Sequence, residues 1–181
     1  MKAPHDNSVR LPRSLQSPYG EVFSDERVIV FTDGACKGNQ LRQTRVAGCG
    51  AFWAEGHPFN LSSPLEGPEQ TNNRAELRAV IHVLGVEMRP VEIRTDSAYV
   101  YNGFTKYLDV WKKRNWRTRN KLLCNADLWQ QLDDLVRDRP SDSVIVTKVL
   151  AHASALDVLK GRTTSFNKWG NDQADALAVN G

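Results

Sequence analysis

Four carboxylates carry the chemistry this sequence is equipped for: Asp33 in Val28-Ile-Val-Phe-Thr-Asp-Gly, Glu76 in Thr71-Asn-Asn-Arg-Ala-Glu-Leu, Asp96 in Val91-Glu-Ile-Arg-Thr-Asp-Ser, and Asp175 in Gly170-Asn-Asp-Gln-Ala-Asp-Ala-Leu-Ala. Two end short β-branched runs and two lie on helical patterns, so folding can gather them into one acidic cluster. Such a cluster repels itself unless divalent cations occupy it. Each acid alone has a structural alternative. Asp33-Gly34 is a common turn pair, Glu76 suits the first turn of a helix, Asp96-Ser97 reads as a cap, and Asp175 as an exposed helical position. Together the alternatives lose, because acids at the ends of apolar strands require compensation. Hard oxygen ligands suit Mg²⁺ or Mn²⁺. Two such ions, roughly 3.5–4 Å apart, can clamp the attacking water and the leaving 3′ oxygen of an in-line displacement. The chemistry indicated is phosphodiester hydrolysis.

The elements that must position these acids are visible in the hydrophobic pattern. Val28 to Thr32 is a continuous apolar run, predicting a strand buried on both faces that ends at Asp33-Gly34. Gly48 to Ala54 and the stretch around Phe59-Asn-Leu predict two further strands joined by a turn at Glu55-Gly-His-Pro, in an antiparallel meander. Thr71 and Asn72 are good N-caps for an amphipathic helix ending near Gly85, with Glu76 in its first turn. Val91 to Thr95 alternates as a strand, and Ser97 caps a helix running towards Leu108. Asn125 or Asp127 caps a helix through Leu128, Leu132, Leu135 and Val136. Val144 to Leu150 predicts the last strand, and Asp172 to Val179 a short closing helix. Strands followed by alternating helices and strands make a mixed sheet with helices packed on it.

Composition narrows the setting. The 181 residues, 40% of them hydrophobic, suffice for one domain with a real core. Net charge is only +3, but its distribution is uneven: seven basic residues and a single acid, Asp109, lie between Lys106 and Lys121, with Trp111 and Trp116 interleaved. That local asymmetry attracts phosphates. Cys36, Cys49 and Cys124 are widely spaced with no paired motif, which argues for reduced thiols in an intracellular setting and against a disulfide framework or structural zinc. The compartment is read as cytoplasmic or nuclear, with an organelle left open. No apolar stretch is long enough for a membrane helix, so no membrane association is expected. Residues 1–25, with Pro4, Pro12 and Pro18, read as a flexible leader before a domain over 26–181.

The four segments in order, with Trp111-Lys-Lys-Arg-Asn-Trp-Arg-Thr and Asn125-Ala-Asp-Leu-Trp between them, resemble type 1 ribonuclease H over residues 28–180. The resemblance implies an α/β fold with a mixed five-stranded sheet, three antiparallel strands then two parallel, and helices on both faces. It implies a monomeric endonuclease that hydrolyses the RNA strand of RNA–DNA hybrids, leaving 5′-phosphate and 3′-hydroxyl ends. Asp33, Glu76, Asp96 and Asp175 would hold two Mg²⁺ ions, with Mn²⁺ as a substitute. His152 occupies the place of the family's mobile histidine, which assists proton transfer or product release. Asn39, Thr71, Asn72, Asn73 and Asn125 fall where the family contacts the ribose 2′-hydroxyl or nearby phosphates, and short polar side chains suit that task. Lys112, Lys113 and Arg114 resemble the family's basic protrusion for the DNA strand, flanked by Tyr99, Tyr107, Trp111 and Trp116. The chain departs from the pattern in a longer stretch over 153–170, in Ala151 and Ala153 beside the histidine, and in Glu69, where some members have a phosphate-binding Arg. Two other readings are a ribonuclease H domain of a retroelement or viral reverse transcriptase polyprotein, and an inactive hybrid-binding module.

Overall fold

The long strand β2 (Arg27–Lys37) organises the molecule, because its alternating side chains supply both halves of the core. A computed structural model describes residues 20–38 and 45–181; most of the expected leader, and Asn39, lie outside the described residues. Val28 and Val30 point to one face of the sheet, where they pack with Leu77, Val80 and Leu84 of α1 (Asn72–Val86). Ile29 and Phe31 point to the other, against Ala174, Phe166 and Leu177 of α6 (Ser165–Asn180). A continuous apolar run is what a strand covered on both faces requires, and each such side chain contributes about 1.5–3 kcal/mol on burial.

Around β2 the sheet runs β4-β3-β2-β5-β8, with β3 (Val46–Phe52), β4 (Leu61–Pro64), β5 (Val91–Thr95) and β8 (Val144–Lys148). The first three strands are antiparallel and β2, β5 and β8 are parallel, as the resemblance implies. The parallel register sets Thr32 beside Thr95, so both strands lead into their acids at the same level. A helical rod follows β5: α2 (Ala98–Asn102), a π-helical turn (Gly103–Tyr107) and α3 (Leu108–Lys113). A two-stranded hairpin, β6 (Arg117–Thr118) and β7 (Lys121–Leu122), leads to α4 (Ala126–Arg137), which packs on α1 and buries Trp129 and Leu132. A short α5 (Ala155–Leu159) precedes α6.

Several predicted boundaries move, each for a physical reason. β2 does not end at Asp33-Gly34, because both residues stay in the ladder opposite Gly50 and Cys49. Phe59 and Asn60 form a turn in place of a strand: Asn60 accepts from Trp53 N–H and donates to the Ala54 carbonyl, closing the connection before β4. α1 starts at Asn72, capped by Thr71 Oγ1 accepting from Arg74 N–H, so Glu76 lies beyond the first turn. The helix after Ser97 extends to Lys113 through the π turn, and β8 stops at Lys148. α6 begins at Ser165, seven residues before the expected Asp172, with Thr164 accepting from Asn167 N–H.

The end of the expected leader is part of the fold. Phe23–Ser24 form a two-residue strand, β1, on β2, and Glu21 is buried. Arg89 clamps Glu21 at 2.5 and 3.0 Å and Glu87 at 2.7 and 2.8 Å, while His57 also meets Glu21 and Trp53 Nε1 donates to Glu87. Two otherwise costly buried acids thereby share one cation. Among the described residues no helix is long and apolar enough to cross a membrane.

Candidate active site

The acids converge because two glycines allow helices to approach the sheet more closely than any side chain would permit. A Cβ on Gly34 would lie 2.4 Å from the Glu76 backbone nitrogen, and one on Gly50 would lie 2.2 Å from the Ala174 carbonyl oxygen. The start of α1 therefore rests directly on β2, and α6 on β3 opposite Asp33. Glu76 and Asp175 are brought to Asp33 from opposite faces. Asp96 arrives from the end of β5, next to β2.

Oxygens of Asp33, Glu76 and Asp96 all lie within 4.8 Å of one another. Asp175 is not among these three gathered groups, but its charge acts on Asp33. The electrostatic cost is visible in the proton affinities. Burial first, then the charges of Asp96 and Asp175, push Asp33 up to about 7, against an opposing hydrogen bond from Gly34 N–H at 2.8 Å. Burial and the charges of Asp33 and Asp96 likewise raise Glu76 well above the usual carboxylate range. Glu76 Oε1 accepts from Asn72 at 3.3 Å, but buried Oε2 has no protein partner. These residues fit a divalent cation: it would neutralise the mutual repulsion and supply the missing partner, and an all-oxygen carboxylate set selects a hard ion.

Two residues without a predicted role hold this arrangement. Buried Asn171 donates to Asp96 Oδ2 at 3.0 Å, while its own Oδ1 has no protein partner. The signal that finds it is spacing, since four residues before Asp175 is the same helical face. Arg94, two residues before Asp96, donates to Asn167 at 2.6 Å and to Glu92 at 2.9 Å, and lies over the rings of Phe31 and Phe166. It fastens the first turn of α6 to β5.

The other predicted residues divide. His152 is exposed in the turn after β8 with φ 44°, and it is not among the gathered ligand groups. Thr71 and Asn72 are engaged in capping and in holding Glu76, while Asn73 is exposed at the same helix start. The Tyr99 hydroxyl accepts from Asn125 and Trp129. Tyr107 lies against Trp111, which itself packs on Trp129. Lys112 is placed differently from its neighbours: its ammonium pairs at 2.8 Å with buried Asp133, whereas Lys113 and Arg114 are exposed. Trp116 is half-buried, and Arg117, Arg119 and Lys121 project from the hairpin beyond it. The three cysteines are free thiols.

A mixed sheet whose central strands and flanking helices deliver acids to one point defines the ribonuclease H-like class of nucleases. The chain belongs to the ribonuclease H family, hydrolases that cleave the RNA strand of RNA–DNA hybrids: the RNase H family profile matches residues 25–181. It is 38% identical over 161 residues to a ribonuclease H of Schizosaccharomyces pombe, covering 88% of this chain and 54% of that one. With a ribonuclease H of Stutzerimonas stutzeri it shares 39% identity over 164 residues, covering 88% of this chain and 93% of the relative. The solution structure of the PFV RNase H domain matches with a TM-score of 0.63 at 26% identity, covering 83% of this chain and 91% of that domain.

Proposed function

We propose that this protein is an endonuclease that hydrolyses the RNA strand of RNA–DNA hybrids, using two Mg²⁺ ions held by Asp33, Glu76, Asp96 and Asp175, and leaves 5′-phosphate and 3′-hydroxyl ends. The observation that carries this reading is the convergence of buried carboxylates whose repulsion is left uncompensated by the protein. When bound, the ions supply Lewis acidity and an activated water at the scissile phosphate. The chain's own groups do the rest. Gly34 N–H and Asn171 keep the carboxylates of Asp33 and Asp96 oriented. Asn72, Asn73 and Asn125 offer short donors and acceptors to the ribose and phosphate groups of the shallow minor groove. Lys113, Arg114 and the hairpin cations hold the DNA strand by its phosphates, which gives affinity without sequence preference. His152, exposed in the turn after β8, is suited to carry a proton on its imidazole to or from the departing product.

A monomer in an intracellular compartment is the accompanying reading. The polyprotein-domain reading is less favoured, because the relatives at 38–39% identity are ribonucleases H whereas the viral domain is 26% identical. The test is a labelled hybrid incubated with Mg²⁺ and wild-type protein or Asp96→Asn. RNA-strand cleavage abolished in the variant supports the enzyme. Binding without cleavage by the wild type would overturn it in favour of the inactive module.

A further inference from the structure

Asn125 occupies the N-cap position of α4 and does not cap it. Its backbone is left-handed, with φ 57° and ψ 30°, and its side chain makes no bond to the helix start. An Asn in this position ordinarily accepts from a first-turn N–H. Here the amide is turned sideways: Oδ1 accepts from Arg74 Nη1 at 3.2 Å and Nδ2 donates to the Tyr99 hydroxyl at 3.1 Å.

Those partners fix which end of the amide is oxygen and which is nitrogen. A guanidinium only donates, so the atom facing Arg74 must be the acceptor. The Tyr99 hydroxyl receives Trp129 Nε1 at 2.9 Å as well as Asn125, which anchors the nitrogen end to the core. Arg74 is itself immobilised: both of its terminal nitrogens bond Asp127, at 3.0 and 2.7 Å, and its side chain is only 16% exposed. After these bonds the Asn125 amide keeps one N–H and one lone pair, on a residue that is only 9% exposed. Arg74 stands on the same helix as Glu76, so the brace also ties Asn125 to the element that carries a candidate metal ligand.

We propose that Arg74 is a positioning residue for hybrid recognition: its Asp127-locked guanidinium holds the Asn125 amide in the one orientation that presents its free donor and acceptor to the sugar–phosphate backbone of the substrate. The inference rests on the reading of Asn125 as a hybrid contact. Lys cannot replace Arg here, because a single ammonium lacks the planar fork that reaches Asp127 and Asn125 together.

The experiment is a double-mutant cycle on the full chain, with KM and kcat measured on one RNA–DNA hybrid for the wild type, Arg74→Ala, Asn125→Ala and the double variant, and thermal unfolding recorded for each. Asn125→Ala and Arg74→Ala are each expected to raise KM by about tenfold, more than they lower kcat. Arg74→Ala is expected to add less than about twofold once Asn125 is gone, as directly coupled groups do. A strut with no part in recognition would lower the unfolding temperature without moving KM. Factors that multiply in the double variant would overturn the positioning role while leaving Asn125 as a contact. An unchanged KM in Asn125→Ala would overturn the reading of Asn125 itself, and the proposal with it. If Arg74→Ala does not fold, Arg74→Lys takes its place in the cycle, and a wild-type KM for that variant refutes the proposal.

Discussion

Replacing Gly34 by Ala should separate activity from folding. The new methyl carbon would lie 2.4 Å from the Glu76 nitrogen and 2.9 Å from the Ala75 carbonyl carbon, both backbone atoms that no rotamer change can move aside. Ordinary contact begins near 3.4 Å, so the start of α1 must retreat from β2 by about 1 Å. Overpacking of this kind costs about 1–3 kcal/mol of stability. A displacement of about 1 Å in a catalytic group costs on the order of 10²-fold in rate, and Glu76 moves with the backbone it is attached to. Gly85→Ala is the matched control. It lies in the same helix with nothing within 4 Å of the added carbon, and should stabilise the protein by about 0.5–1 kcal/mol with activity retained. Single-turnover cleavage of a labelled hybrid would be measured with both variants at a temperature where circular dichroism shows them folded. A folded Gly34→Ala protein cutting within about threefold of the wild-type rate would refute the claim that close helix approach sets the site.

Other expectations follow from the charges. Because Asp33 binds its proton more tightly in the folded chain, near 7 against 3.8, the metal-free protein should lose stability as pH rises from about 4 to about 7 and then level off. Urea unfolding with a chelator present checks this, and Asp33→Asn should show a shallower fall; equal slopes for the two proteins would contradict the assignment. Arg89→Met removes the cation that buried Glu21 and Glu87 share and should cost about 3–5 kcal/mol; a loss below about 1 kcal/mol in denaturant unfolding would show the clamp to be dispensable. Converting Lys113 and Arg114 together to Ala should reduce the salt dependence of hybrid binding by about two slope units, one per phosphate contact. An unaltered slope would remove these residues from the interface. Lys112→Ala should instead lower stability, since it abandons buried Asp133.

The doubly buried β2 and the amphipathic α1 were legible as local patterns, the arrangement of the strands was what the family resemblance implies, and of the four expected acids Asp33, Glu76 and Asp96 lie together. Asp33-Gly34 was misleading for a specific reason. The pair usually signals a turn, but here the missing side chain serves helix approach, and the ladder continues to Lys37. The first half of α6 was hidden because Asn167, Gly170 and Asn171 are poor helix formers. Their compensations are tertiary: Asn167 meets Arg94, and Asn171 meets Asp96. The bracing pairs were also illegible, since Arg74 and Asp127 are 53 residues apart and Arg89 and Glu21 are 68 apart. Charge pairing at such separations leaves no periodic trace. For Lys112 the basic run was visible, but its diversion to Asp133 depends on how α3 meets α4.

The Arg94 clasp has an evolutionary corollary. One end of the segment between β8 and α6 is fixed where Val149 N–H bonds the Thr95 carbonyl, and the other where Asn167 meets Arg94. Neither fixture depends on how many residues travel between them, and the entropy of closing such an excursion grows only with the logarithm of its length. Insertions and deletions there can accumulate over descent, reshaping the segment that carries His152, without dragging Asp175 out of alignment. The lineage is thus free to experiment with its periphery while the reaction centre keeps its coordinates.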